Sequence, residues 1–146
     1  MTPPARLSVV TLGARDVARL RDFYVGLGWP IGSDIEGQFA SFLLGGTVLS
    51  VYRLDLLAAE AAPGQPSKVA EWRGVTLACN VDARDEVDVA FAAAIAKGAT
   101  LVMEPVDREW GGRSGYFADP EGNRWEIAWA PGMEFDQRGA VTRFGA

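Results

Sequence analysis

The sequence predicts an α+β fold in which two βαβββ modules build an open, curved mixed sheet, and three observations carry that prediction. An alternating strand followed by an amphipathic helix occurs twice, in VTLGARDVARLRDFYVGLGW (Val10 to Trp29) and in VTLACNVDARDEVDVAFAAAIAKGA (Val75 to Ala99). Matching features such as Asp16 and Asp82, or Gly28 and Gly98, recur after roughly the mid-sixties to seventy residues, too long a period for a solenoid and right for a duplicated half-domain. Each repeat is followed by a tight hairpin, FASFLLGGTVLSVY in the first and GYFADPEGNRWEIAWAP in the second. With 146 residues, 49% of them hydrophobic, the chain reads as one domain with one sizeable core. Its first module runs from about 6 to 55, a linker from about 56 to 72, the second module from about 73 to 131 and a tail from 132 to 146.

The elements follow in order. Strand alternation over Leu7 to Gly13 leads to Asp16, a good helix N-cap, after which Val17, Leu20, Phe23, Tyr24 and Leu27 fall at helical spacing and Gly28 ends the helix. An extended segment is expected near Ile31 to Ile35, then two strands joined by Gly45-Gly46, a pair able to take the positive φ angles of a two-residue hairpin. Leu54 to Ala62 reads as a short helix and Pro63 to Ser67 as loop. The second module repeats the plan. A strand spans Val75 to Val81, Asp82 caps a helix carrying Val87, Phe91, Ala94 and Ile95, Gly98 stops it, and a strand at Thr100 to Glu104 precedes the closing hairpin. Asp119 belongs to the DPEGN turn of that hairpin, which lacks the alternating oxygen ligands of a calcium loop. Beyond Pro131 the tail is Gly-rich and weakly patterned, and reads either as mobile or as packed on a partner subunit.

Strand parity assigns faces. In the closing hairpin Tyr116 falls opposite Glu126 and Ala118 opposite Arg124, with Phe117 and Trp125 on the other side; in the first hairpin Ser41 falls opposite Ser50, Phe39 opposite Tyr52 and Leu43 opposite Val48. Phe42, Leu49, Val51, Val75, Leu77 and Cys79 are the greasier set and should face the helices. Phe39, Ser41, Ser50, Tyr52, Thr76, Asn80, Tyr116, Arg124 and Glu126 are left to line a cleft, a mostly aromatic and apolar wall with a few polar groups of the kind that holds small molecules. Trp110, beside Gly111 and Gly112, is placed either to cover a ligand or to pack, and Trp72 is expected in the core or at a dimer contact. The lone Cys79 has no internal disulfide partner and reads as a buried spacer. Glu126 is the residue of greatest interest: a carboxylate on such a wall must pair with Arg124, stay protonated or meet a ligand.

These segments, above all the closing GYFADPEGNRWEIAWAP, resemble the vicinal oxygen chelate superfamily, which includes glyoxalases, bleomycin-resistance proteins and extradiol dioxygenases. The resemblance spans nearly the whole chain and implies a dimer of glyoxalase/bleomycin-resistance-like fold that binds a small molecule. It also implies metal-ligand positions at Val9, Ser50, Thr76 and Glu126, of which only Glu126 is a ligand type. The chain has no histidine at all, so no metal and no cofactor are expected. Three functions compete on this reading. The first is a metal-independent binding protein holding a small, partly aromatic or apolar ligand. The second is a metal-free lyase or isomerase with Glu126, desolvated by Tyr116, Tyr52 and Phe39, as general base. The third is a metal-dependent glyoxalase- or dioxygenase-like enzyme with unusual ligands.

Composition narrows the partners. A net charge of −5 with scattered Lys and Arg provides no basic stripe for nucleic acid. No segment has a membrane-spanning length of apolar residues, and the opening MTPPARLSVV lacks a secretory pattern, so a cytoplasmic location is expected.

Overall fold

The computed structural model describes residues 1–67 and 72–144. The first module comprises β1 (Val9–Ala14), α1 (Val17–Gly26), β2 (Ile31–Ile35), β3 (Phe39–Leu44) and β4 (Thr47–Arg53), and α2 (Leu54–Ala61) follows it. The second comprises β5 (Thr76–Asn80), α3 (Glu86–Ala96), β6 (Thr100–Asp107), β7 (Arg113–Ala118) and β8 (Arg124–Trp129), and the short strands β9 (Glu134–Phe135) and β10 (Val141–Arg143) close the chain.

Both modules have the predicted βαβββ order, and their strands form two mixed sheets of identical topology, β1-β4-β3-β2 and β5-β8-β7-β6. In each, the first strand runs parallel to the fourth, which sets Thr11 beside Ser50 and Ala78 beside Glu126. The strands of each module thus form an open, mixed four-stranded sheet, in keeping with the expected architecture. β1 and β5 each stand at an edge with one side unpaired. Gly45 and Gly46, with φ of 36° and 99°, close the β3–β4 hairpin in the left-handed conformations that its two-residue turn requires.

The helix-facing sides of both sheets share one core. Val17, Leu20, Phe23 and Tyr24 of α1, and Val87, Phe91 and Ala94 of α3, pack with Phe42, Leu49 and Val51 of the first sheet and Phe117, Trp125 and Ile127 of the second. α1 links the halves directly: Phe23 reaches Phe117 at 6.2 Å between ring centroids, and Tyr24 reaches Trp125 at 6.0 Å. Because the helix faces meet in the middle, the opposite face of each sheet points away from this core.

One expectation is corrected and two are narrowed. Asp82 does not cap α3. The helix begins at Glu86, whose carboxylate folds back to accept from the amides of Asp82 and Ala83, both at 3.0 Å. Asp16, in contrast, caps α1 as predicted, its Oδ1 accepting from the Arg19 amide at 3.0 Å. The tail is ordered on its own chain: Asp136 accepts from the amides of Arg138 and Ala140, β9 pairs with β10, and the turn lies so close to the β3–β4 hairpin that a Cβ on Gly45 would meet Gly139 O at 2.8 Å. Trp72 is exposed, with its indole N–H on Val75 O, and is not a core residue.

Candidate functional site

The outer face of the second sheet holds five of the expected site residues, Thr76, Asn80, Tyr116, Arg124 and Glu126. Register places three rows across it: Ala118, Arg124 and Thr76; Tyr116, Glu126 and Ala78; Ser114, Ala128 and Asn80. Strand geometry separates successive rows by about 6.6 Å. The Tyr116 hydroxyl donates to Glu126 Oε2 at 3.0 Å, and burial together with the Glu126 carboxylate raises the phenol above its ordinary pKa. Arg124 does not pair with Glu126. It is turned to the backbone of the preceding turn, donating from Nη1 to Gly122 O at 3.0 Å.

A residue that sequence reasoning missed completes this face. Arg108, in the loop between β6 and β7, donates from Nε to Ser114 Oγ at 2.8 Å and from Nη2 to Ser114 O at 3.2 Å, and its guanidinium lies 5.8 Å from the centre of the Tyr116 ring. The loop is tight: the Arg108 amide donates to Gly112 O, and a side chain at Gly112 would collide with Trp110. Trp110 therefore packs over Gly112, half exposed, rather than over the sheet face. The only hint in the sequence is a lone arginine two residues before that tryptophan.

The outer face of the first sheet is closed on itself. The Thr11 and Ser50 hydroxyls are 2.7 Å apart and Ser50 is 2% exposed. Ser41 Oγ accepts from the Ser33 amide at 2.9 Å. Phe39 and Tyr52 stand edge to face at 6.0 Å, and α2 crosses the end of the face, where Leu54 fills the space a side chain at Gly13 would need. The predicted wall is thus divided. Phe39, Ser41, Ser50 and Tyr52 lie on one sheet, and Thr76, Asn80, Tyr116, Arg124 and Glu126 lie on the other, so within one chain Phe39 and Tyr52 do not desolvate Glu126.

Two cavities lie elsewhere, along the seam between β1 and β5. A groove of about 620 Å³ runs among Val10, Trp29, Leu77, Cys79, Trp125 and the tail, and Asn80 is the one predicted polar site residue that lines it. Cys79 is half buried at its wall, and burial raises its thiol pKa. A pocket of about 320 Å³ opens beside it between Thr11 and Arg124.

Next to that pocket the DPEGN turn locks the halves together. Glu121 accepts from the amides of Arg15 at 2.9 Å and Asp16 at 3.2 Å, at the entrance of α1. Asp119 accepts from the Glu121 and Asn123 amides, from Asn123 Nδ2 and from the Tyr24 hydroxyl at 2.5 Å, and Trp125 Nε1 donates to Tyr24 at 3.0 Å. Burial raises the pKa of both Tyr24 and Asp119.

The ligand positions implied by resemblance do not suit a divalent metal. Val9 and Ser50 belong to the first sheet and Thr76 and Glu126 to the second, offering one carboxylate, two neutral hydroxyls and an alkyl group. Among the described residues no three His, Cys, Asp or Glu side chains converge on a point. No described helix is long and apolar enough to cross a membrane.

Residues 6–127 match the family model described as Glyoxalase/Bleomycin resistance protein/Dioxygenase superfamily. Among solved structures, a glyoxalase-related enzyme from Fulvimarina pelagi is 30% identical, with 98% of this chain and 100% of that chain covered and a TM-score of 0.87. A glyoxalase/bleomycin resistance protein/dioxygenase family enzyme from Burkholderia phytofirmans PsJN is 25% identical, with 86% and 99% covered and a TM-score of 0.77. A lactoylglutathione lyase from Agrobacterium tumefaciens, 23% identical with 87% and 95% covered and a TM-score of 0.68, shares the fold. Comparison with curated proteins returns no match.

Proposed function

We propose that this chain, which belongs to the Glyoxalase/Bleomycin resistance protein/Dioxygenase superfamily, is a metal-independent binding protein for a small, partly aromatic molecule. One observation carries the reading. The Tyr116–Glu126 pair lies on an open sheet face with one carboxylate oxygen free of protein donors among the described residues, while the donor set at the resemblance-implied metal positions is unsuited to a metal. Glu126 is the recognition group, Tyr116 orients it, and Arg124, Thr76 and Asn80 share the face. The same Glu126 is the residue that would act as general base if the bound molecule were turned over.

A second copy of the chain supplies the opposite wall. β1 and β5 expose unpaired edges, and Leu7, Val9 and Val75 are exposed apolar residues beside them. Such edges favour pairing, and a two-fold dimer that joins β1 of one copy to β5 of the other satisfies both edges at once. That arrangement sets Phe39, Ser41, Ser50 and Tyr52 of one copy across from Tyr116 and Glu126 of the next.

Native mass spectrometry of protein from its source cells, paired with elemental analysis, tests the reading. A dimer that retains a small organic molecule and no stoichiometric metal is expected. A monomer at micromolar concentration removes the second wall, and stoichiometric zinc, iron, manganese or nickel held through Glu126 overturns the metal-independent function.

A further inference from the structure

The outer face of the second sheet carries two arginines that make no salt bridge among the described residues. Arg15, Arg21, Arg53, Arg84, Arg113, Arg138 and Arg143 each have a carboxylate within 4.0 Å; of the arginines that have none among the described residues, Arg6, Arg19 and Arg73 are exposed, whereas Arg108 and Arg124 are partly buried. Both stand on one face, on either side of Glu126, in a protein whose net charge is −5. Arg108 is the better fixed of the two. Ser114 holds it by two hydrogen bonds and Tyr116 lies beneath it, an arrangement that sets the plane of the guanidinium. A guanidinium has five N–H donors, and the Ser114 contacts use two of them. Three remain, in a fork whose geometry matches a carboxylate. Ser114 is fully buried, so the anchor itself is rigid.

We propose that the molecule held on this face is a small organic acid, with its carboxylate seated on Arg108 and a hydrogen-bond donor of the same molecule directed to Glu126. The inference rests on the small-molecule reading given above and adds the ligand's charge. Charge order along the face sets the ligand's polarity. A carboxylate at Glu126 repels the acid end and accepts from the donor end, while Tyr116 lies between the two.

The probes are 4-hydroxybenzoate and 4-hydroxybenzamide, which share size and shape and differ in charge. Binding of each to the full chain is measured by titration calorimetry. The acid is expected to bind at least tenfold more tightly than the amide, with the preference shrinking as salt is raised. Arg108→Gln should abolish the preference by weakening the acid at least tenfold and leaving the amide within twofold. Arg108→Lys, which keeps the charge but loses the fork, should recover only part of it. If Arg108→Gln fails to fold, the acid-to-amide ratio of the unaltered protein and its salt dependence still decide. Equal affinity for acid and amide overturns the charge assignment and leaves the small-molecule reading standing, and so does a preference that survives Arg108→Gln. Failure of both probes to bind at millimolar concentration overturns both.

Discussion

The two modules share one topology but dispose of their polar groups in opposite ways. In the first sheet the outward hydroxyls satisfy one another, Thr11 on Ser50 and Ser41 on the Ser33 amide, and α2 lies across the end of the face. In the second sheet the equivalent face keeps spare capacity: Glu126 has a free oxygen, and Arg108 and Arg124 have no acid partner among the described residues. The helix entrances differ as well. α3 is closed locally by its own Glu86, whereas the residues leading into α1 are closed by Glu121 from the other module. The two halves therefore share a framework, while the second supplies both the polar groups left without further partners on its outer face among the described residues and the contacts of Glu121 and Asp119 that join the halves.

The strongest test of this asymmetry is Asp119→Ala. It strips the acceptor from Tyr24, Asn123 and two turn amides at a point where a buried hydroxyl of the first module depends on the second. Urea unfolding should show a loss of about 3 kcal/mol. A loss no greater than that of an exposed substitution breaks the claim that this turn joins the halves.

Next in size is the contrast between two caps. Glu121 has a side chain only 8% exposed and spans the modules, so Glu121→Ala should cost about 1 to 2 kcal/mol. Glu86 is exposed and caps locally, so Glu86→Ala should cost about 0.5 kcal/mol. Equal costs measured by the same unfolding experiment dissolve the distinction.

The smallest effect concerns acid. The Arg113 guanidinium holds the Asp88 carboxyl below its ordinary pKa, bridging β7 to α3 on the exposed side of the second module. A lowered folded-state pKa contributes stability above the unfolded value of about 3.9 and loses it as pH falls through the folded value. The stability difference between the unaltered protein and Asp88→Asn should therefore be present at pH 6 and shrink toward zero in acid. A difference that grows in acid contradicts the assignment.

Much of this was legible in the sequence where geometry is local. Gly45-Gly46 and DPEGN fix two hairpin registers, and a period of two then assigns every face, so Tyr116 opposite Glu126 and Ser41 opposite Ser50 follow without tertiary knowledge. What was not legible depends on where the modules sit. Glu121 reads as a solvated turn residue until α1 is brought beside it, and Asp82 looks like a cap until Glu86 takes the amides first. Arg108 lies in a loop without periodicity, so nothing in the chain marks its side chain as resting on Ser114 and Tyr116. The division of the predicted wall between two sheets has the same origin: parity gives the face of a strand but not which faces meet.

The central claim is that the second sheet recognises the ligand and the first serves as wall. The direct measurement is the affinity of Glu126→Gln and of Ser50→Ala for the molecule that the native protein retains. Glu126→Gln should weaken binding by about 1.5 to 3 kcal/mol with the unfolding midpoint unchanged, the scale of a charge-assisted hydrogen bond, while Ser50→Ala should change it by less than about 0.5 kcal/mol. A Glu126→Gln variant that binds as tightly as the unaltered protein, or a Ser50→Ala variant that loses as much, contradicts the account.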